Sequence, residues 1–141
     1  MNQITFEIDG DVQAQQRPKF SRMGKGVSVR VRDPKESKDY KSFVRLVASE
    51  HSLDELITEP IRLHIDVYRK IPKSFSKKKH LQAVEGELRP TTKPDIDNLV
   101  KGIKDGLSKV IWHDDSQVIE LVARKFYSDK PKAVVTIEWE K

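Results

Sequence analysis

Residues 96 to 110 constrain this chain more than any other stretch. Projected at about 100° per residue, Ile96, Leu99, Val100, Ile103, Leu107 and Val110 form one stripe. Asp97, Lys101, Lys104, Asp105 and Ser108 fall well away from it. That pattern predicts a helix with one dry face and one wet face. Two prolines precede it in Arg89-Pro90-Thr91-Thr92-Lys93-Pro94. Each disfavours helix in the residue before it, so this segment is expected to be extended and the helix to run from about Asp95 to Val110. The apolar stripe needs a partner layer to cover it.

The rest of the chain supplies strands for that layer. Ile4, Phe6 and Ile8 alternate with Thr5, Glu7 and Asp9. Val27, Val29 and Val31 alternate with Ser28, Arg30 and Arg32, and Ile61, Leu63, Ile65 and Val67 with Arg62, His64, Asp66 and Tyr68. A period of two is the mark of a strand with one buried face. Two more strands are expected at Val118 to Tyr127 and Ala133 to Trp139, with Lys130-Pro131 at the turn. Residues 10 to 27, with Pro18, Gly24 and Gly26, read as a long loop or loose hairpin. Pro34 starts a helical stretch to about Glu50, with Tyr40, Phe43, Val44 and Val47 on one face. Ser74 or Ser76 caps a short basic helix toward Ala83, stopped by Gly86. The order β-β-α-β-α-α-β-β predicts an α+β fold. It would be a single domain over 1–141, with a mixed β-sheet and helices packed against it.

Composition excludes several classes of function. The 141 residues include no cysteine, so disulfides and thiolate metal sites are absent. A metal here must bind through Asp, Glu, His, Asn or backbone oxygen. No apolar run approaches the roughly 20 residues of a membrane span, and MNQITFEIDG lacks the features of a signal peptide. A cytoplasmic protein is expected. Lys and Arg total 27 against 22 acidic residues, a net charge of +5. Six of the cations, Arg17, Lys19, Arg22, Lys25, Arg30 and Arg32, lie between residues 13 and 32 with no acid among them. Six more, Arg69, Lys70, Lys73, Lys77, Lys78 and Lys79, lie between 69 and 80. Such stretches suit a phosphate backbone; the alternative is two solvated loops.

The candidate chemistry sits at the helix entrance. Asp95 and Asp97 follow a proline, where one Asp is a good N-cap and a second gains from the helix dipole. Asp97 and Lys101, four apart, also make an ordinary helical charge pair. A second acidic pair, Asp114-Asp115 in Trp112-His113-Asp114-Asp115-Ser116-Gln117, precedes a strand that has no need of it. If that loop folds back past the helix entrance, three or four carboxylates approach one another and call for a cation between them. Hard oxygen donors suit Mg²⁺ or Mn²⁺ and not Zn²⁺. Asn98 could orient a ligand carboxylate or simply start the helix, and Lys101 could face a scissile phosphate. Gly102 and Gly106 each cost about 1 kcal/mol in a helix interior. Close approach by an element of the same chain, close approach by a partner subunit, and simple tolerance are all open. His51, His64, His80 and His113 have no metal spacing, and only His113 lies near the acids.

Lys93-Pro94-Asp95-Ile96-Asp97-Asn98-Leu99-Val100-Lys101, Asp105-Gly106-Leu107 and Trp112-His113-Asp114-Asp115-Ser116-Gln117-Val118 together resemble the RusA family of Holliday-junction resolvases. The likeness is greatest to the branch found in Gram-positive bacteria and their phages. It extends to Gln16-Arg17-Pro18-Lys19, Ile71-Pro72-Lys73-Ser74 and Ser76-Lys77-Lys78-Lys79, and so over nearly the whole chain. The resemblance implies a small two-fold dimer that resolves four-way DNA junctions with Mg²⁺, for which Mn²⁺ can substitute, in recombination and repair. It implies Asp95, Asp97 and Asp115 as metal ligands and Lys101 as the catalytic lysine. DNA contacts are expected from Arg17, Lys19, Arg22, Arg30, Arg32, Lys73, Lys77, Lys78, Lys79 and Lys93. One departure is that family members carry arginines directly before the first Asp, where this chain has Thr91, Thr92, Lys93 and Pro94, with Arg89 further off. The rival readings are a non-catalytic, branched-DNA-binding prophage protein and a nuclease for flaps or other branches.

Overall fold

A computed structural model describes residues 1–14, 19–23, 28–32 and 35–140, with side chains described for 1–14 and 39–140. Four strands form one mixed sheet: β1 (Asn2–Asp9), β4 (Ile61–Lys70), β5 (Val118–Ser128) and β6 (Lys132–Trp139), in the order β1-β6-β4-β5. β6 is antiparallel to both β1 and β4, whereas β5 runs parallel to β4. A separate antiparallel pair joins β2 (Lys19–Met23) to β3 (Ser28–Arg32). Three helices complete the described residues: α1 (Lys35–Ser49), α2 (Lys77–Val84) and α3 (Ile96–Leu107). This is the α+β architecture expected from the alternating periods, with one strand more than the sequence suggested. Lys19-Phe20-Ser21-Arg22-Met23 has no two-residue alternation, so only its pairing with β3 reveals β2.

The alternation sorts the sheet into a dry face and a wet face. Ile61, Leu63, Ile65 and Val67 of β4 are fully buried, as are Ala133, Val135 and Ile137 of β6. They meet the α3 stripe, where Leu99, Ile103 and Leu107 are also fully buried. Arg62, His64, Asp66 and Tyr68 stand on the opposite face beside their β5 partners Glu120, Val122, Arg124 and Phe126. No helix of the described residues is long and apolar enough to cross a membrane.

α1 packs across α3, and Gly106 makes the crossing possible. A Cβ built on Gly106 would lie 2.5 Å from Val44 Cγ1, 2.6 Å from Val44 Cβ and 3.2 Å from the Lys41 carbonyl oxygen. The close neighbour is thus an element of the same chain. The buried seam of α1 is Tyr40, Val44 and Ala48, spaced by four, with Val47 half-buried. Phe43, expected on that seam, is 40% exposed because the seam follows the four-residue ridge that meets α3.

Two helix ends differ in instructive ways. Ser76 is the cap of α2, its hydroxyl accepting the Lys79 N–H at 3.2 Å. Gly86 follows with φ +84, as its stop position requires. α3 ends at Leu107 and not at Val110: Lys109 has φ +67 and its N–H donates to the Trp112 carbonyl at 2.8 Å, turning the chain back. Val110 still packs against the core, but from the turn.

Candidate active site

Asp95 occupies the N-cap position of α3 with an extended backbone, φ −64 and ψ 150. Its carbonyl accepts the Leu99 N–H at 3.1 Å, yet its carboxylate makes no cap hydrogen bond. Capping by the side chain therefore does not account for this aspartate. Asp97, in the first turn, is exposed and carries no side-chain hydrogen bond among the described residues. Nor does it pair with Lys101: the ion pairs of the described residues are His80–Asp129, Arg124–Asp66 and Lys132–Glu7. Two acids at a helix entrance thus stand without the structural partners that would explain them. Asn98 is likewise exposed and makes no side-chain hydrogen bond among these residues.

The turn after α3 brings the second acidic pair across. Trp112 is fully buried, and its backbone bridges both Ser108 and Ile57. Ile57 donates to the Ile111 carbonyl at 2.9 Å and accepts the His113 N–H at 3.1 Å. Gln117 adds two bonds from Nε2, to the Ile57 carbonyl at 2.8 Å and the Glu59 carbonyl at 3.0 Å. Within this anchored turn Trp112 Nε1 donates to Asp115 Oδ1 at 2.9 Å. A buried, immobile indole thereby fixes one carboxylate oxygen of Asp115, a partner of the kind that orients a ligating acid.

Asp114 has a different task. It caps the short 3-10 turn Asp115–Gln117, accepting from both the N–H and the hydroxyl of Ser116, while its own N–H donates to Gln117 Oε1 at 2.6 Å. The Ser116 hydroxyl and N–H hold the Asp114 carboxyl below its ordinary value. Its lone pairs are thus engaged by the turn it caps.

Two adjoining grooves run between α3 and β5 and share Asp97. One is lined by Asp97, Lys101, Lys104, Asp105 and Asp115 over a floor of Leu121 and Ala123. The other is lined by Asp95, Asp97, Arg89, Thr91, Thr92, Arg124 and Lys125. Asp97, Lys101 and Asp115 therefore open onto one groove, and Asp95 with Asp97 onto the other. Among the described residues no three Asp, Glu, His or Cys side chains form a preassembled metal cluster. Chemically, the donors are all hard oxygens, and the Asp95 and Asp97 carboxylates make no side-chain hydrogen bond or ion pair among the described residues. That set fits an ion that keeps several waters and takes one or two carboxylates, as Mg²⁺ does.

None of the remaining expected residues whose side chains are described lines either groove. Lys73, Lys77, Lys78, Lys79 and Lys93 are all exposed, and Lys79 Nζ sits 5.6 Å from the Phe75 ring. The segment before α3 bends at 92–94, with a cis Lys93-Pro94 bond, where an extended run was expected. Arg17 lies outside the described residues. Lys19, Arg22, Arg30 and Arg32 lie in β2 and β3, with side chains outside them. The histidines have separate roles or none: His51 stacks on Phe6 at 4.8 Å, His80 bonds Asp129 at 2.8 Å, and His113 is exposed. Sequence reasoning missed Arg124 and Lys125. Lys125 Nζ donates to the Thr92 and Pro94 carbonyls at 2.9 and 3.0 Å, pinning the segment that leads into Asp95. The available signal was a basic pair inside a strand rich in apolar residues.

Comparison with known proteins follows the same residues. A family model described as "Endodeoxyribonuclease RusA" matches residues 9–138. The chain is 50% identical over 140 residues to "Uncharacterized protein YqaN" of Bacillus subtilis (strain 168), covering 97% of this chain and 96% of that protein. It is 38% identical over 48 residues to "Crossover junction endodeoxyribonuclease rusA" of Lactococcus phage r1t, covering 33% of this chain and 37% of that one. With a match that spans both acidic pairs and nearly every described element, the chain belongs to the RusA endodeoxyribonuclease family.

Proposed function

We propose that the protein is a Mg²⁺-dependent, structure-specific endodeoxyribonuclease that resolves four-way DNA junctions by paired phosphodiester hydrolysis in recombination and repair. The observation that carries this reading is the groove lined by Asp97, Lys101 and Asp115, with Asp95 in the adjoining one. The printed name of the Lactococcus phage relative supports the junction as substrate. Asp95, Asp97 and Asp115 would hold Mg²⁺, or Mn²⁺ in its place. The ion, when bound, supplies an acidified water and polarises the scissile phosphate. Trp112 orients Asp115, and Lys101 offers an ammonium to the charge that develops on the phosphate. Lys73, Lys77, Lys78, Lys79 and Lys93 track the DNA backbone with Arg17, Lys19, Arg22, Arg30 and Arg32, making binding salt-dependent.

A homodimer suits a two-fold junction, with one site for each of two strands. Phe43 and Leu46 on α1, 40% and 63% exposed, are apolar surface that a second copy would cover. The test is a substrate panel of four-way junction, flap and linear duplex of matched sequence, with Mg²⁺ and with chelator. Paired cuts in the junction, in Mg²⁺ alone, are expected. Preferred cutting of flaps would replace the junction by another branch. Binding without any cutting would leave a non-catalytic branched-DNA-binding protein.

A further inference from the structure

The groove beside Asp95 and Asp97 holds one cation that is built in and not merely exposed. Arg89 lies over the Phe126 ring with its guanidinium carbon 4.2 Å from the centroid. Its Nε donates to the Lys125 carbonyl at 2.6 Å, at the free edge of β5. Phe126 is itself backed by Tyr68, stacked at 5.3 Å with 22° between the planes. The neighbouring cations are more fully engaged. Arg124 is bound through two nitrogens to Asp66 at 2.8 Å each, and Lys125 is bound to two carbonyls. Arg89 makes no ion pair among the described residues and keeps both terminal nitrogens for a ligand.

A guanidinium carries five N–H donors in a planar fork that matches two oxygens of a phosphate. Held by a ring on one face and by a carbonyl at Nε, it loses little further freedom when an anion binds. Arg89 is a lining residue of the groove that holds Asp95, Asp97, Thr91 and Thr92, while its guanidinium rests on Phe126, on the sheet face turned away from α3. We propose that Arg89 is a pre-ordered phosphate-binding residue for the DNA strand that enters this groove, with Phe126 and the Lys125 carbonyl as its holder. This rests on the nuclease reading above and adds to it a path for the strand, from the Tyr68–Phe126 face of the sheet around the outer edge of β5 to the two aspartates.

The test measures binding, not cleavage. Affinity for a labelled four-way junction is measured between 50 and 200 mM salt, without divalent metal, for wild type, Arg89→Ala, Arg89→Lys and Phe126→Leu. One lost phosphate contact lowers the slope of log K against log salt by about 0.9, so the wild type loses roughly 3.5-fold more affinity than Arg89→Ala over that range. Arg89→Lys restores the slope but not the full affinity, since an ammonium lacks the fork. Phe126→Leu keeps the slope and weakens binding roughly twofold to tenfold, the cost of ordering a loosened side chain. A merely structural Arg89 would leave the slope unchanged. An Arg89→Ala protein with wild-type slope and affinity overturns the proposal and leaves the nuclease reading intact. A wild type that binds no junction overturns that reading and the proposal together.

Discussion

Gly106→Ala places a methyl group where α1 and α3 touch. The added Cβ would sit 2.5 and 2.6 Å from two carbons of Val44 and 3.2 Å from the Lys41 carbonyl oxygen. Normal carbon contacts are about 3.5–4.0 Å, so the clash is close to 1 Å deep. It falls on the branch point of a stiff, fully buried side chain and on backbone, neither of which yields cheaply. Overpacking of this kind costs up to about 3 kcal/mol, and the helix-propensity gain of alanine over glycine returns about 1 kcal/mol. The net expectation is a loss of about 2 kcal/mol. Chemical denaturation should show it as a lower midpoint at unchanged m-value. The double variant sharpens the test. In a Val44→Ala background the Cγ1 contact is gone while the Val44 Cβ at 2.6 Å and the Lys41 carbonyl at 3.2 Å remain, so Gly106→Ala should still destabilise, but by less than in the otherwise unaltered chain. That non-additivity is the signature of a direct steric coupling. Gly106→Ala that is neutral or stabilising in the otherwise unaltered chain would show the helix crossing to be looser than described.

Two further predictions concern the site. Trp112→Phe keeps most of the buried ring but removes the N–H that holds Asp115 Oδ1. Metal affinity or turnover should fall about 10–100-fold, as for other partners that orient ligands, while circular dichroism reports a folded protein; unchanged kinetics would remove the indole from the account. Lys101→Ala should slow single-turnover cleavage by about 10²–10³-fold, the scale of losing one charge-stabilising donor. Calorimetric Mg²⁺ affinity should stay close to wild type, and a variant that instead lost metal binding would place Lys101 in a different role.

Much of the fold is legible in the sequence because a period of two and a period of 3.6 are both hard to mistake when one face is dry. Ile61, Leu63, Ile65 and Val67 announce β4, and Leu99, Ile103 and Leu107 announce α3; all are fully buried. The failures lie where that logic weakens. Ile119, Leu121 and Val122 are 64%, 47% and 38% exposed, because β5 is an edge strand. Val110 stays in phase with the α3 stripe, yet the helix has already ended, since burial alone does not require helical backbone. At the site, Asp95 and Asp97 are visible as a pair, but their lack of capping bonds is not. That Asp97 and Asp115 line one groove depends on bonds between the 112–117 turn and residues 57–59, a long-range event that no local pattern encodes. The cap made by Asp114 was missed, although an acid three residues before Gln117 has capping-box spacing, and the box is present.

The central claim is that Asp95, Asp97 and Asp115 act together as one metal site for DNA cleavage. The most direct measurement is the single-turnover cleavage rate of a mobile four-way junction in Mg²⁺ for wild type and for Asp95→Asn, Asp97→Asn and Asp115→Asn, each shown to fold and to bind the junction. All three variants should bind the junction and fail to cut it. Near-wild-type cleavage by any one of them would take that aspartate out of the site and contradict the account.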